Sequence, residues 1–161
     1  MLKVTKFFTE LSNYIEQGSI EVNVLQSLNQ MKSDITNRIH NSEKGGTDKD
    51  GRGFGGYTSP WVKVRKANGR QILKKDFEFS GDLRRSPKIV SDGNIAKITL
   101  DDSSSIYKGN VLSNRNKALY LTKQHGHGDV IWKASDSEVK GFYLVLDKLI
   151  DTDIKRINGS I

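Results

Sequence analysis

Val4, Phe7, Phe8, Leu11 and Ile15 recur at spacings of three and four, which predicts a short amphipathic helix ending near Gly18. A second helix is expected behind it. Asn23 is placed to cap it, with Gln26 three residues on as a variant of the capping box. Its apolar stripe would be Val24, Leu28, Met31, Ile35 and Ile39, and its polar face Ser27, Gln30, Asp34 and Asn37. At the other end of the chain, Ser135 and Glu138 form a capping box. Val139, Phe142, Tyr143, Leu146, Leu149, Ile150, Ile154 and Ile157 then run at helical spacing for about five turns. Lys155 and Arg156 suit the negative end of that helix dipole.

Between these helices the pattern changes. From Asn41 to Gly56 periodicity is lost and Gly45, Gly46, Gly51, Gly53, Gly55 and Gly56 crowd the chain, so residues 41–56 read as a long loop. Loops of this length are uncommon in compact domains, and this one is expected to hold a ligand or to be ordered by a neighbour. Tyr57–Lys66 reads equally as a strand or as a short helix opened by Pro60, and Gln71–Phe79 as a strand or extended segment. Ser80–Ser86 suggests one polar helical turn stopped by Pro87. Lys88–Ser91 and Asn94–Asp101, joined by Asp92-Gly93, predict an antiparallel hairpin, with Ser103–Ser105 a loop after it. Asn114–Gln124 reads as a short helix ended by His125-Gly126, followed by a brief extended anchor at Val130-Ile131-Trp132.

The order predicts an α+β fold in one domain over 1–161: N-terminal helices over 1–40, the loop over 41–56, a small antiparallel sheet region over 57–134 with its hairpin near 88–101, and a long C-terminal helix over 135–158. At 161 residues the chain can bury a core, yet only 35% is hydrophobic and 28% charged, so much of it should face water or a partner. It has no cysteine, which excludes disulfides and cysteine-bound zinc. No apolar run reaches eighteen residues, so no membrane partner is expected, and the amphipathic N-terminus does not read as a signal peptide.

The net charge of +7 is concentrated. Residues 61–90 hold nine cations (Lys63, Arg65, Lys66, Arg70, Lys74, Lys75, Arg84, Arg85 and Lys88) against three acids, whereas residues 1–50 hold six against seven. Such a segment suits phosphate or an acidic protein face, or is simply a solvated strand face whose lysines discourage edge pairing. Tyr57 and Trp61 beside Lys63, Arg65 and Lys66 could stack single-stranded bases, but filling the core is the simpler role.

Catalytic motifs fail on context. Gly51–Gly56 spells G-x-G-x-x-G, but a polar loop precedes it and Tyr57-Thr58-Ser59-Pro60 follows, so the strand and helix that dinucleotide binding needs are missing. Thr47–Gly51 resembles part of a calcium loop, but Gly46 and Tyr57 would occupy its first and twelfth positions and supply no carboxylate. An Asx-type turn explains it better. His125 and His127 near Asp129 lack further ligands, and Asp101-Asp102 reads as a solvated strand end. The expectation is no enzyme, no catalytic residue, no metal and no cofactor.

The run DKDGRGFGGYTSPW (48–61), then KANGR (66–70), then FSGDLRRS (79–86), resembles the virion-morphogenesis or tail-completion proteins of tailed bacteriophages. KALYLTKQHG (117–126) and WKASDSEVKGFYL (132–144) continue the likeness in the same order. The resemblance spans roughly Arg38 to Ile157, and this chain departs from it in Gly53, Gly55, Gly56 and an added first helix. It implies a structural role in the virion: a homo-oligomeric ring at the neck or tail end, assembled in the host bacterial cytoplasm. Its neighbours would be portal, connector or tail-tube proteins, with non-specific DNA contact. The elements carried over are a subunit-contact loop (Asp50, Gly51, Phe54, Tyr57, Ser59) and a motif turn (Ser80, Gly81, Leu83, Ser86). A small basic nucleic-acid-binding module is the alternative.

Overall fold

The computed structural model describes residues 2–77, 82–92, 95–101, 103–107, 110–124 and 132–159. Two helices open the chain, α1 (Leu2–Glu16) and α2 (Ser19–Ile39). Gly18, at φ 69, breaks the helical path between them and stands as the N-cap of α2. The helix therefore starts four residues before the expected Asn23 cap. Asn23 is instead a buried internal residue whose Nδ2 donates to Tyr14 Oη and to Asp153 Oδ2, both at 2.9 Å.

The α2 stripe is as expected: Leu28, Ile35 and Ile39 are buried, and Met31 packs against the cluster of Ile35 and Ile39. Ser27, expected on the polar face, is buried too, because its hydroxyl donates to the carbonyl of Asn23 at 2.8 Å and so needs no water. On α1 the expected stripe is rotated. Tyr14 is buried, while Phe8 is 61% and Ile15 56% exposed; the side chains of Val4 and Phe7 lie outside those described.

After the loop come α3 (Ser59–Ala67) and α4 (Asp82–Arg85). The choice at 57–66 thus resolves to helix. Thr58 enters in an extended conformation and proline sits in the first turn, where a missing N–H is harmless. Residues 71–77 form no strand. They fold beneath α3, and Phe77 takes φ 51, an unusual conformation for a residue with a Cβ. Its ring lies 4.4 Å from that of Phe54.

The expected hairpin is present as β1 (Pro87–Asp92) and β2 (Ile95–Leu100), with Ile89 opposite Ile98 and Asp92 opposite Ile95. A second hairpin, β3 (Ser104–Tyr107) with β4 (Asn110–Ser113), occupies the stretch expected to begin as loop. Its serines and single β-branched residues per strand carry too little alternation to mark it. The two hairpins form separate two-stranded sheets. The helix α5 (Asn114–Gln124) follows directly, so 57–134 holds three helices besides the strands. Val130 and Ile131 of the expected anchor, and His125, His127 and Asp129, lie outside the described residues.

The final helix, α6 (Asp136–Gly159), begins with the expected capping box: Glu138 N donates to Ser135 Oγ at 3.3 Å, and Ser135 N donates to Glu138 Oε2 at 2.7 Å. It packs along α2, and β1–β2 lies against another side of α2. The architecture is α+β, with helices at the N-terminus, small antiparallel hairpins and a long C-terminal helix. The core gathers at the C-terminal half of α2, where Ile35, Ile39 and Phe54 are enclosed by Met31, Phe77, Ile98, Trp132 and Ala134.

Candidate interaction surface

The glycine-rich loop is held by its own chain. Gly46 N donates to Lys75 O at 2.8 Å, Thr47 N to Arg38 O at 3.2 Å, and Phe54 N to Gly46 O at 3.0 Å. A Cβ at Gly46 would stand 2.0 Å from the carbonyl oxygen of Ile39 and 2.6 Å from the Phe54 ring, so only glycine fits there. Asp48 is fully buried; its Oδ1 accepts from the backbone N–H groups of Asp50 and Arg52 at 3.0 and 2.9 Å. This is the Asx-type turn expected from sequence. Asp50 is exposed at its tip, where hydrogen bonds from Lys49 and Arg52 hold its carboxyl below the usual carboxylate range.

The suspected contact loop is therefore divided. Asp50, Gly51 and Ser59 face outward, while Phe54 is inserted in the chain's own core and Tyr57 is half-buried. In the motif turn, Leu83 and Ser86 are buried, with Ser86 Oγ donating to Leu83 O at 2.8 Å. Ser80 and Gly81 lie outside the described residues.

Beneath α3 sits a polar hub that sequence reasoning did not identify. Asp76 is 1% exposed and Arg65 2%. Arg65 reaches inward from α3: its Nη2 lies 3.2 Å from Asp76 Oδ1, its Nε donates to Gln71 O at 2.7 Å, and its guanidinium stands 4.2 Å above the Tyr57 ring. Tyr57 Oη donates to Asp76 Oδ1 at 2.5 Å, and Gln71 Nε2 donates to Asp76 Oδ2 at 2.7 Å. Burial and the hydrogen bond to Asp76 push the Tyr57 hydroxyl well above the usual phenol range. His40 Nδ1 meets Asp76 O at 3.0 Å, which joins the hub to the end of α2. Its one sequence signal was Asp76 itself, the lone acid between Arg52 and Glu78.

The hub corrects the basic segment. Arg65 is an internal ion-pair partner, not a surface cation, because Asp76 draws it inward. Lys75 is also buried, which pushes its ammonium below the usual lysine range. The exposed cations then fall into two groups. On the hairpin side, Arg85 pairs with Asp82 at 2.9 Å and Lys88 with Asp101 at 3.3 Å, with Arg84 exposed beside them. Around α3, Lys63, Lys66, Arg70 and Lys74 are all exposed, and none has an ion-pair partner among the described residues. Trp61, 37% exposed, and Leu73, 82% exposed, lie among them.

Among the described residues, no cluster of His, Asp and Glu could hold a metal ion, and no helix is long and apolar enough to cross a membrane. An open groove between α2 and β1 is lined by Leu25, Asn29, Lys32, Lys88, Ile89 and neighbouring residues. The described surface carries unneutralised positive charge around α3 and apolar side chains exposed on α1 and α6. Compared with protein-family models, with curated proteins and with solved structures, the chain gives no match.

Proposed function

We propose that this chain is a structural, non-enzymatic subunit of a tailed-bacteriophage virion, forming a homo-oligomeric ring at the neck or tail-completion position and joining the head and portal to the tail. The observation that carries this reading is the set of large apolar side chains left exposed among the described residues. Leu144 is 70% exposed on α6, Ile95 69% on β2 and Phe8 61% on α1, while Ile35, Ile39 and Phe54 form the buried cluster among the described residues. Val139 and Tyr143, also exposed, stand one turn apart on α6, and subunits of an assembly bury such shared apolar faces against neighbours. The motif order described above supports the assembly's identity, and the virion is its proposed location.

Sedimentation and electron microscopy of the purified chain, alone and with portal and tail-tube proteins, test it. Annular particles, alone or on those partners, are expected. A chain that stays monomeric at every concentration and joins neither partner overturns the reading. The second reading, a small basic nucleic-acid-binding module, draws on the α3 cations.

A further inference from the structure

We infer that the exposed face of α3 and the turn after it binds the phosphate backbone of duplex DNA, without regard to sequence, through Lys63, Lys66, Arg70 and Lys74. This deepens the virion reading by naming the partner of its basic segment. From Gly53 to Phe77 the only acid is Asp76, and it is buried and matched by the buried Arg65. The internal pair cancels, so the surface of this segment carries four cations and no exposed carboxylate. The hairpin side differs, because Arg85 and Lys88 have carboxylate partners there.

The placement is built. Lys63 and Lys66 are three apart on α3 and share a side of it. The chain turns at Gly69, φ 63, and Arg70 N donates to Arg65 O at 2.9 Å, which keeps Arg70 at the helix end. The Lys74 side chain rests over Gly45, 3.0 Å from where a Cβ there would stand. Because Arg65 ties α3 to Gln71 and Asp76, the four cations ride on one braced unit rather than on a loose strand.

Duplex DNA fits better than the other anionic partners. A membrane-surface helix needs a continuous exposed apolar face, and on α3 the exposed large apolar side chains are Trp61 and Val64 alone. On a second copy, Asp48, Asp50, Asp82, Asp101, Glu138 and Asp153 are already ion-paired within the chain, and the exposed Asp147 and Asp151 of α6 alternate in sequence with Lys148 and Lys155. A duplex carries about one charge per 1.7 Å of axis, dense enough to meet cations one helical turn apart.

Fluorescence anisotropy of the full-length chain with two short duplexes of unrelated sequence, from about 50 to about 200 mM salt, reads the proposal. Four phosphate contacts give a slope of log K against log salt near roughly −3.6, equal for both duplexes. The combined Lys63→Gln, Lys66→Gln, Arg70→Gln and Lys74→Gln variant should flatten that slope toward zero and weaken binding at least about tenfold at low salt. A control with the same charge loss elsewhere (Lys32→Gln, Arg84→Gln, Lys88→Gln, Lys97→Gln) should keep most of the slope. Where the fourfold variant loses its far-ultraviolet spectrum, Lys63→Gln and Lys66→Gln singly should each lower the slope by about one. Equal loss in both variants overturns the proposal. So does tighter binding to phosphatidylserine vesicles or to polyglutamate than to DNA, or no binding at low salt. Rings without DNA binding overturn this inference alone, and a DNA-binding monomer overturns the ring alone.

Discussion

Arg65 Nη2 lies 3.2 Å from Asp76 Oδ1, with both residues removed from water. Taking away one partner strands a buried charge, so Asp76→Ala is expected to cost about 3–5 kcal/mol, read as a lower urea midpoint. Arg65→Met with Asp76→Ala should lose less than the sum of the two singles, by about 0.5–3 kcal/mol. Strict additivity would remove the pair from the account of how α3 is held.

Gly46 and Gly53 lie in one loop with opposite tolerances. Gly46→Ala pushes a methyl into the Ile39 carbonyl and the Phe54 ring and is expected to destabilise by about 3 kcal/mol or more. Gly53→Ala meets nothing within 4 Å and should be neutral or gain about 0.4–1 kcal/mol. Thermal unfolding of the two variants side by side checks the contrast; similar losses would contradict it.

Asp48 organises the loop tip by accepting two backbone N–H groups and pairing with Arg52. Asp48→Ala should therefore release the tip while leaving α2 and α6 in place. The expected result is trypsin cleavage after Lys49 and Arg52 at least several times faster than in the parent chain. An unchanged digestion rate would mean that the tip is shaped by something other than this carboxylate.

The Tyr57 hydroxyl titrates higher in the folded chain than in the unfolded one. Its contribution is fully present below the unfolded phenol value, about pH 10, and is lost as pH rises from there through the folded value. The stability gap between the parent and Tyr57→Phe should stay constant up to about pH 10 and narrow above it. Lys75 acts the other way, since its lowered value makes stability rise with pH toward the unfolded lysine range, about pH 10.4. Comparing Tyr57→Phe with its parent cancels that term. A gap that widens with alkali would contradict the assignment.

The long helices were legible because each carries its own periodicity and, in α6, its own cap. The first hairpin was legible from Asp92-Gly93 and the alternation behind it. The missed features depend on partners distant in sequence. Asn23 looked like a cap because its role is set by Asp153, 130 residues on. Arg65 looked like a surface cation because nothing local shows that Asp76 lies beneath it. The outward faces of α1 and α6 misled in the opposite sense: periodicity marks side chains able to be buried, not those their neighbours actually cover. Of the nine suspected surface cations, Lys63, Lys66, Arg70 and Lys74 stand exposed without an ion-pair partner among the described residues, because pairing is a three-dimensional property.

Arg38 fixes the far end of the α2–α6 pair. Its Nε donates to Glu138 Oε1 at 2.8 Å, and its Nη groups donate to Thr47 O at 2.8 Å and Lys133 O at 2.7 Å. At the near end Asn23 holds Asp153. Two antiparallel rods latched at both extremities cannot slip by a turn without opening both latches together. Force applied to either rod thus travels through the pair as through a single strut, and any rearrangement of the fold falls to α1 and the hairpins.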